Sequence, residues 1–342
     1  MAAGRLMIRQ LLESLTRTSE TFSRQSGGLP PSVEGNTVWK DIWLEETHHS
    51  TALEGHTLTP REISELVERR LATGSKELVH YLAVEGYART ARWVYEQAVQ
   101  HSKTGPSPWG GFNMGHVRQI HAQLMGPIWA VRPSPGSERP GEWRRGTVEI
   151  AGFQVKPPPG GLVESHVGEW VRGVKVGPSL QQHPIEWVAK LHADFEAIQP
   201  FSDGNGRVGR LVMDYLLILA GYPPAIIRQS QRARYIVALQ RAQTRGDYRP
   251  LTELVGQAVL DNLNRLLLPH LSTAEEAYVP LSELAPRTPY TSTYLRKLAD
   301  RGQLHALKTG GQWVSTLRSV EEHVKTKSAR GRKPKSGKLS AD

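Results

Sequence analysis

The segment 199–210, Gln-Pro-Phe-Ser-Asp-Gly-Asn-Gly-Arg-Val-Gly-Arg, constrains the fold of this chain more than any other stretch. Hydrophobic periodicity predicts a helix over residues 184–198 before it, and an apolar helix from about residue 208 to 220 after it. Its glycines can adopt left-handed backbone angles that other residues resist. Any fold of this chain must therefore place a glycine-rich turn between two helices.

The residues of this turn are those of an anion-binding site. Successive N–H groups at residues 204–206 can point inward as an anion nest, and the positive end of the following helix adds to the attraction. Arg207 and Arg210 are three residues apart, so they lie near one helical face. Asp203 offers a hard oxygen ligand for Mg²⁺, which needs few protein carboxylates besides phosphates. Together these residues predict a nucleotide polyphosphate site.

Composition excludes several classes of protein. The 342 residues suffice for two or three domains with a buried core, and no cysteine is present for disulfides or cysteine-ligated metals. No apolar run reaches the roughly 18–20 residues that cross a bilayer. The best candidate, 211–227, is interrupted by Asp214 and by the Gly-Tyr-Pro-Pro sequence at 221–224. The N-terminus has an amphipathic helical pattern rather than that of a signal peptide. We therefore expect a cytoplasmic protein without a membrane partner.

The chain up to about residue 270 is predicted to be mainly helical. Thr59 and Pro60 suit the cap and the first position of a helix. Residues 132–161 are instead dense in glycine and proline around a short β-like segment, and we expect an excursion from the core there. Besides the two helices that flank the loop, helices are predicted at residues 60–71, 76–100, 162–171, 231–245 and 250–268.

The last part of the chain has a different pattern. Helices are predicted at 281–285 and 291–301, and two alternating segments then flank Gly310-Gly311, a two-residue hairpin signal. Two helices followed by a hairpin are typical of a winged helix. The formal net charge of the chain is +10, and its tail, 325–342, holds seven lysines and arginines against one acidic residue. Such a tail either solubilises the protein or binds phosphate backbones without sequence specificity.

The glycine-rich loop resembles the signature of the Fic family, HPFx(D/E)GNGRxxR. It matches that signature at every fixed position except the first, where Gln199 replaces histidine. The helix before the loop and the stretches 211–224 and 231–247 are also similar to those of the family. The resemblance covers about residues 1–270.

This resemblance implies a mainly α-helical fold, a Fic-type bundle with a small β-hairpin flap, followed here by the small winged helix-turn-helix domain. In the family the flap pairs with an extended segment of a target protein by β-augmentation. The implied flap of this chain spans 145–152 and includes Thr147, Val148 and Glu149.

Family roles carry over to the matching positions of the loop. Asp203 would hold Mg²⁺, Arg207 would contact phosphate, and Arg210 would grip the γ-phosphate of ATP. The α- and β-phosphates would lie against Gly204, Asn205 and Gly206. In the family, the first residue of the motif takes the proton from a Ser, Thr or Tyr hydroxyl of a target protein. That hydroxyl attacks the α-phosphate, which gives an AMP-modified side chain and pyrophosphate.

Gln199 cannot act as this base, because a carboxamide does not titrate near neutral pH. Loss of a general base typically costs roughly 10²- to 10⁴-fold in rate, whereas the electrostatic part of phosphoryl chemistry is retained. Gln199 can still hydrogen-bond a hydroxyl and orient it. His192 lies two helical turns earlier, about 10.5 Å along the axis, which is too far to replace the base. We expect a packing role for it.

The segment 50–55, Ser-Thr-Ala-Leu-Glu-Gly, resembles the inhibitory motif (S/T)xxxE(G/N) of many Fic proteins. The motif implies that the carboxylate of Glu54 pairs with Arg210 in the place of the γ-phosphate. Because one guanidinium cannot hold both anions, ATP would be excluded or bound unproductively.

The expected organisation has four parts. They are an N-terminal helical region at 1–105 with the inhibitory motif, a Fic core at 106–272, a winged-helix-like domain at 278–327 and a disordered basic tail at 328–342.

Three functions are compatible with these patterns. The first is a slow or latent adenylyltransferase that uses ATP and Mg²⁺, and the second is a pseudoenzyme that binds nucleotide and reports it by conformation. The third is a DNA-binding protein whose contacts lie in 278–342, although winged helices also bind proteins. The segment 330–334 is similar to a minor-groove hook. The sequence leaves open the target protein and whether the protein forms a homodimer. The residues that would face a DNA groove are Thr291, Ser292, Thr293, Tyr294, Arg296 and Lys297.

Overall fold

A computed structural model describes residues 2–104, 107–134, 138–149, 155–272, 277–300, 303–310 and 312–329. Most of them are helical, as the sequence predicts. The chain divides into two compact units, Met1–Val259 and Leu260–Asp342. The four-part division predicted from the sequence is finer and stays a prediction. Within the described ranges, no helix combines the length and the apolar character that a bilayer crossing requires.

The first unit is a bundle of helices whose starts follow local signals. Thr59 and Glu62 form a reciprocal capping box at the start of α3, and Pro184 occupies the first turn of α7. The helices that begin in this unit are α1 (Ala2–Ser26), α2 (Thr37–Leu53), α3 (Pro60–Arg69), α4 (Leu78–His101), α5 (Met114–Val131), α6 (Val163–Val176), α7 (Pro184–Ile198), α8 (Asn205–Leu219), α9 (Arg232–Arg245) and α10 (Arg249–Leu271). Short 3₁₀ turns precede α6 and α9, at Gly160–Leu162 and Gln229–Gln231.

Helix α8 lies at the centre of this unit. It packs against α4, α5 and α7, and all of its residues except Gly206 are buried. Helix α2 also contacts α4 and α8. Because α8 begins directly at the glycine-rich loop, its packing fixes that loop to the core.

Three features of the first unit differ from the sequence predictions. Helix α8 begins at Asn205 rather than near residue 208, so the loop is shorter than expected. Helix α5 was not predicted, because Gly126 and Pro127 disfavour a helix that tertiary packing nevertheless stabilises. The stretch 132–161 is not only an excursion, since Arg144 within it is 1% exposed.

The predicted flap is only partly described. No strand is present in its described part, 145–149, because no neighbouring strand among the described residues supplies ladder hydrogen bonds. Thr147 and Glu149 are exposed and Val148 is half-buried. Residues 150–152 lie outside the described residues, so the hairpin stays a prediction.

The second unit contains a three-stranded antiparallel sheet in the order β1–β3–β2. Strands β2 (Leu307–Thr309) and β3 (Gln312–Ser315) pair with Thr309 opposite Gln312, which leaves the two-residue turn that Gly310-Gly311 predicts. Gly310 has a left-handed φ of 57°, and residue 311 lies outside the described residues. Strand β1 (Val279–Pro280) pairs with the other edge of β3 and is too short to show an alternating pattern.

Three helices accompany this sheet. They are α11 (Leu281–Leu284), α12 (Ser292–Asp300) and α13 (Leu317–Ala329). Helix α13 was not predicted, and it includes the first two residues of the tail expected to be disordered; the rest of that tail, 330–342, lies outside the described residues. The buried cluster of this unit consists of Leu281, Leu284, Tyr290, Leu295, Leu298, Ala299, Leu304 and Val320.

Candidate functional site

Two left-handed residues shape the loop between α7 and α8. Gln199 caps the C-terminus of α7 with φ 48° and ψ 64°, and Gly204 caps the N-terminus of α8 with φ 77°. Of residues 204–206, only Gly204 adopts the left-handed angles that the sequence allows, because Asn205 and Gly206 already belong to α8. A left-handed non-glycine residue costs on the order of 1–3 kcal/mol, so the surroundings must hold Gln199 in place.

Side chains inside the loop fix its shape. The amide of Asn205 accepts from Phe201 N at 2.9 Å and donates to Phe201 O at 2.7 Å. His121 of α5 stacks on the Phe201 ring at 3.7 Å, and burial lowers its pKa to about 4. Its Nδ1 accepts from Gly141 N, so its Nε2–H donates to the carbonyl of Asp203 at 3.2 Å. Asn205 thus closes the loop with its side chain, and only its backbone remains for a ligand.

The start of α8 presents unused hydrogen-bond donors. The first helical hydrogen bond runs from Val208 N to Gly204 O at 3.0 Å, so the N–H groups of residues 205–207 have no acceptor within the helix. The Arg207 side chain is only 4% exposed, and its Nη2 lies 3.6 Å from Asp203 Oδ1. Its Nε and Nη1 have no hydrogen-bond partner within the described part of the chain. A buried guanidinium in this state, beside a helix N-terminus, is suited to bind an anion.

The guanidinium of Arg210, one turn later, is hydrogen-bonded to residues 50 and 54. Its Nε donates to Ser50 Oγ at 2.6 Å, and its Nη2 donates to Ser50 O at 2.9 Å and to Glu54 Oε1 at 2.8 Å. Burial alone would raise the pKa of Glu54, but the charge and the hydrogen bond of Arg210, together with the charges of Arg207 and Arg232, hold that pKa below its ordinary value. A Cβ at Gly206 would lie 2.7 Å from Glu54 Oε1, so glycine there allows the carboxylate to approach. The structure thus contains the ion pair that the motif implies.

Gln199 turns its side chain back towards its own helix. Its Nε2 donates to the backbone carbonyl of Glu196 at 2.8 Å, and its own backbone carbonyl accepts from Arg144 Nε at 2.5 Å. Arg144 also donates to three further carbonyls, those of Gly146, Pro158 and Ile198. This buried arginine therefore ties the end of α7 to the start of the predicted flap.

Asp203 has the chemistry and the exposure of a magnesium ligand. Its side chain is 77% exposed, and its Oδ1 accepts from Gly204 N at 2.5 Å beside the first turn of α8. Among the described residues no three acidic or histidine side chains cluster as a metal site. A single carboxylate next to a phosphate site nevertheless fits Mg²⁺, which takes its other ligands from phosphates and water.

The comparisons with known proteins agree with this geometry. Residues 111–217 match the sequence model of the Fic/DOC family. Two proteins named protein adenylyltransferase Fic are 30% identical to this chain: that of Aedes aegypti over 251 residues (73% of this chain, 46% of the relative) and that of Drosophila willistoni over 230 residues (67% and 42%). Among solved structures, Fic-1 from C. elegans superposes with a TM-score of 0.62 at 21% identity, covering 77% of this chain and 72% of that one. A Fic family protein from Desulfovibrio desulfuricans G20 gives 0.54 at 19% identity, covering 90% and 95%.

The chain contains a Fic/DOC family domain. It spans less than half the length of the curated relatives named above. The matched range includes the whole loop 199–210, but Glu54 and the helix α9 lie outside it.

A small cavity beside the Fic loop joins residues from four helices. Its volume is about 190 Å³. It brings together Gln199, Gly206 and Arg210 of the predicted site. Of the other predicted residues, Asp203, Gly204, Asn205, Arg207 and the described flap residues do not line it. The residues that carry its polar character include Glu54, Glu196, Gln199, Arg210 and Tyr235.

His192 is committed to packing in this Fic domain, as its distance from Gln199 along α7 predicts. Its Nδ1 donates to Gly209 O at 3.1 Å, and its Nε2 accepts from Tyr235 OH at 2.7 Å. Burial lowers its pKa to about 3, so the ring is neutral. Both ring nitrogens are occupied, and neither can replace the missing histidine.

Arg144 and Glu196 were not found from the sequence as site residues. Nothing in the pattern distinguishes Arg144 from its neighbour Arg145, which is exposed. Glu196 carries a detectable signal, because an acidic residue stands one turn before the loop on a helix face that is apolar apart from His192.

Proposed function

We propose that this Fic domain transfers AMP from ATP to a hydroxyl group of a target protein, and that the activity is latent in this sequence. The observation that carries the proposal is the pair of buried arginines at the start of α8. Arg207 has two donors without a partner among the described residues, and Arg210 is held by a carboxylate. The name of the relatives, protein adenylyltransferase, supports the same chemistry.

In this proposal the start of α8 binds the phosphates. The N–H groups of residues 205–207 and the guanidinium of Arg207 would hold the α- and β-phosphates, and Arg210 would hold the γ-phosphate. Asp203 would hold Mg²⁺, which neutralises charge on the phosphates when bound. The exposed segment 145–149 would dock the target.

Latency has two physical causes in this account. Glu54 occupies the guanidinium that the γ-phosphate needs, and Gln199 supplies no proton acceptor. The first cause acts on ATP binding and the second on the chemical step, so they can be removed separately.

The test is mass spectrometry of the purified Gln199→His, Glu54→Gly double variant after incubation with ATP and Mg²⁺. We expect mass additions of one AMP on the protein itself or on an added protein mixture. Adding Arg207→Ala to the double variant is the matched control and should abolish the additions. If the double variant binds ATP but never acquires AMP, the protein is a nucleotide sensor and the proposed transfer is wrong.

A second function is favoured by the surface of α12. Thr291, Ser292, Thr293, Arg296 and Lys297 are exposed, whereas the apolar residues Leu295 and Leu298 are buried in the second unit. We propose that this unit is a winged helix that binds duplex DNA. Fluorescence anisotropy with a labelled duplex should show binding that weakens as salt rises and that Arg296→Ala with Lys297→Ala reduces. Equal binding by the variant would contradict this.

A further inference from the structure

Glu196 places a carboxyl group beside the first residue of the loop. It precedes Gln199 by one helical turn on α7, and Gln199 Nε2 lies 3.4 Å from Glu196 Oε2. Both side chains line the cavity that Glu54 and Arg210 also line. The carboxyl therefore lies next to the place where the chemistry needs a base.

This carboxyl is buried and incompletely hydrogen-bonded. Glu196 is 6% exposed, and its Oε1 has no hydrogen-bond partner in the part of the chain that the structure describes. Helix α8 makes room for it, since a Cβ at Gly209 would lie 2.0 Å from Oε1. A buried oxygen without a donor is costly, and Glu196 also lines the cavity, which gives a donor a route to the carboxyl group. A hydroxyl group of a target is such a donor.

The surroundings of Glu196 favour proton exchange near neutral pH. Burial raises its pKa to about 8, against the lowering effect of Arg210 and with a further increase from Glu54. The titratable and charged groups that face it are Arg210 of α8, Glu54 at the C-terminal cap of α2 and Tyr235 of α9. A base that titrates close to the working pH is the kind that general-base catalysis uses.

We propose that the Glu196 carboxylate accepts the proton of the target hydroxyl, in place of the histidine that Gln199 replaces. This inference rests on the AMP transfer proposed above. The hydroxyl proton moves to the Glu196 carboxylate as the hydroxyl oxygen bonds to the α-phosphorus. The bond from the α-phosphorus to the oxygen that bridges it to the β-phosphorus breaks, and pyrophosphate leaves. Glu196 then releases the proton to water, while Gln199 orients the hydroxyl.

The experiment measures the initial rate of AMP incorporation from α-³²P-labelled ATP across pH, with the full chain and Glu54→Gly as the background. The background rate should rise about tenfold per pH unit and then level off, as for one titrating base. Adding Glu196→Gln should lower the plateau roughly 10²- to 10⁴-fold. Adding Gln199→His to that variant should rescue incorporation, with its pH midpoint moved to the range of histidine. Glu196→Asp, which keeps a carboxyl, should retain the pH-dependent rise at a reduced rate. Thermal unfolding of each variant confirms that it is folded.

The outcomes separate the two proposals. Two results would overturn the role of Glu196 and leave AMP transfer intact, in each case with incorporation by the variant that carries Gln199→His. In the first, the Glu54→Gly background incorporates no AMP. In the second, adding Glu196→Gln leaves the rate of that background unchanged. A loss in Glu196→Gln that Gln199→His does not rescue also overturns that role. No incorporation by any variant, including Glu54→Gly with Gln199→His, overturns the proposed function and this inference with it.

Discussion

Arg207 and Arg210 stand one helical turn apart on α8, equally buried, and differ in what they hold. Arg210 is satisfied by Ser50 and Glu54 of α2, whereas two donors of Arg207 find no partner among the described residues. We call the surroundings of Arg210 the closed end of the loop and the surroundings of Arg207 its open end. In the proposed function the open end binds phosphate, and the closed end carries a carboxylate where a second phosphate would bind.

The difference shows that one sequence motif can hold one guanidinium that is paired with a carboxylate and another that keeps donors without a partner among the described residues. The closed end depends on a residue 156 positions away in sequence, and the open end depends on the start of α8 itself. Removing Glu54 should therefore free Arg210, while Arg207, which interacts with that carboxylate only through its charge, keeps its place at the start of α8.

The largest expected effect concerns the open end. In the Glu54→Gly background, Arg207→Ala should weaken ATP binding by about 1.5–3 kcal/mol, or roughly ten- to a hundredfold, because charged hydrogen bonds to phosphate are lost. Arg207→Lys keeps the charge but not the fork and should be intermediate. Calorimetric titration measures all three, and an unchanged affinity in Arg207→Ala would show that phosphate does not bind there.

Without nucleotide, the two ends should differ in the opposite sense. Arg210→Ala should lower the free energy of unfolding by about 1.5–3 kcal/mol, because the acceptors on α2 lose a charged donor. Arg207→Ala should lower it by less, since removing an unpaired buried charge offsets the lost packing. Urea unfolding compares them, and equal losses would remove the distinction between the ends.

A pH test probes the carboxyls around the closed end. The pKa of Glu196 is about 8 in the folded protein against an ordinary 4.5, so the folded state binds more protons between these values and stability falls as pH rises through them. Glu196→Gln should therefore stabilise the protein more at pH 9 than at pH 5, by at least about 1 kcal/mol. Glu54→Gln is the control, and its effect on stability should change with pH in the opposite direction. The pKa of Glu54 is lowered, so its contribution is present above about pH 4.5 and is lost in acid. A pH-independent effect of Glu196→Gln would contradict the raised pKa.

The smallest effect concerns the glycine between the two ends. Glycine to alanine in a helix gains roughly 0.5–1 kcal/mol when space is open, as it is at Gly173 of α6. At Gly206 the new Cβ meets Glu54 Oε1, so Gly206→Ala should gain less than Gly173→Ala in thermal unfolding. In the Glu54→Gly background the gain at Gly206 should increase, and an unchanged gain would mean that Arg210 Nη1, which would lie 3.2 Å from the same Cβ, is what restricts residue 206.

The parts of the molecule that the sequence predicts well are those set by local signals. The bounds of α7 match the prediction, because proline marks its start and the loop its end. The start of α3, with Thr59 as cap and Pro60 in its first turn, and the two-residue turn between β2 and β3 are of the same kind. The identity of the loop is also local, since its residue types follow from the backbone angles and charges that the turn requires.

The rest depends on packing that no local pattern encodes. Helix α8 begins earlier than its apolar pattern, because Asn205 bonds to Phe201 rather than remaining in the loop. Arg144 is buried and donates to four carbonyls, two of which, those of Ile198 and Gln199, lie more than 50 residues away in sequence. The pKa of Glu196 is raised by its burial, and its Oε1 has room because residue 209 is a glycine. Only the folded structure brings these two residues together.

The most direct test of the central claim is calorimetric titration of ATP with Mg²⁺ into the full chain, into Glu54→Gln and into Glu54→Gly. If Glu54 occupies the phosphate position of Arg210, the affinity should rise in that order, by at least about tenfold in total, the equivalent of about 1.4 kcal/mol. Equal affinities in all three proteins, or no ATP binding by Glu54→Gly, would contradict the account of a loop held closed by its own carboxylate.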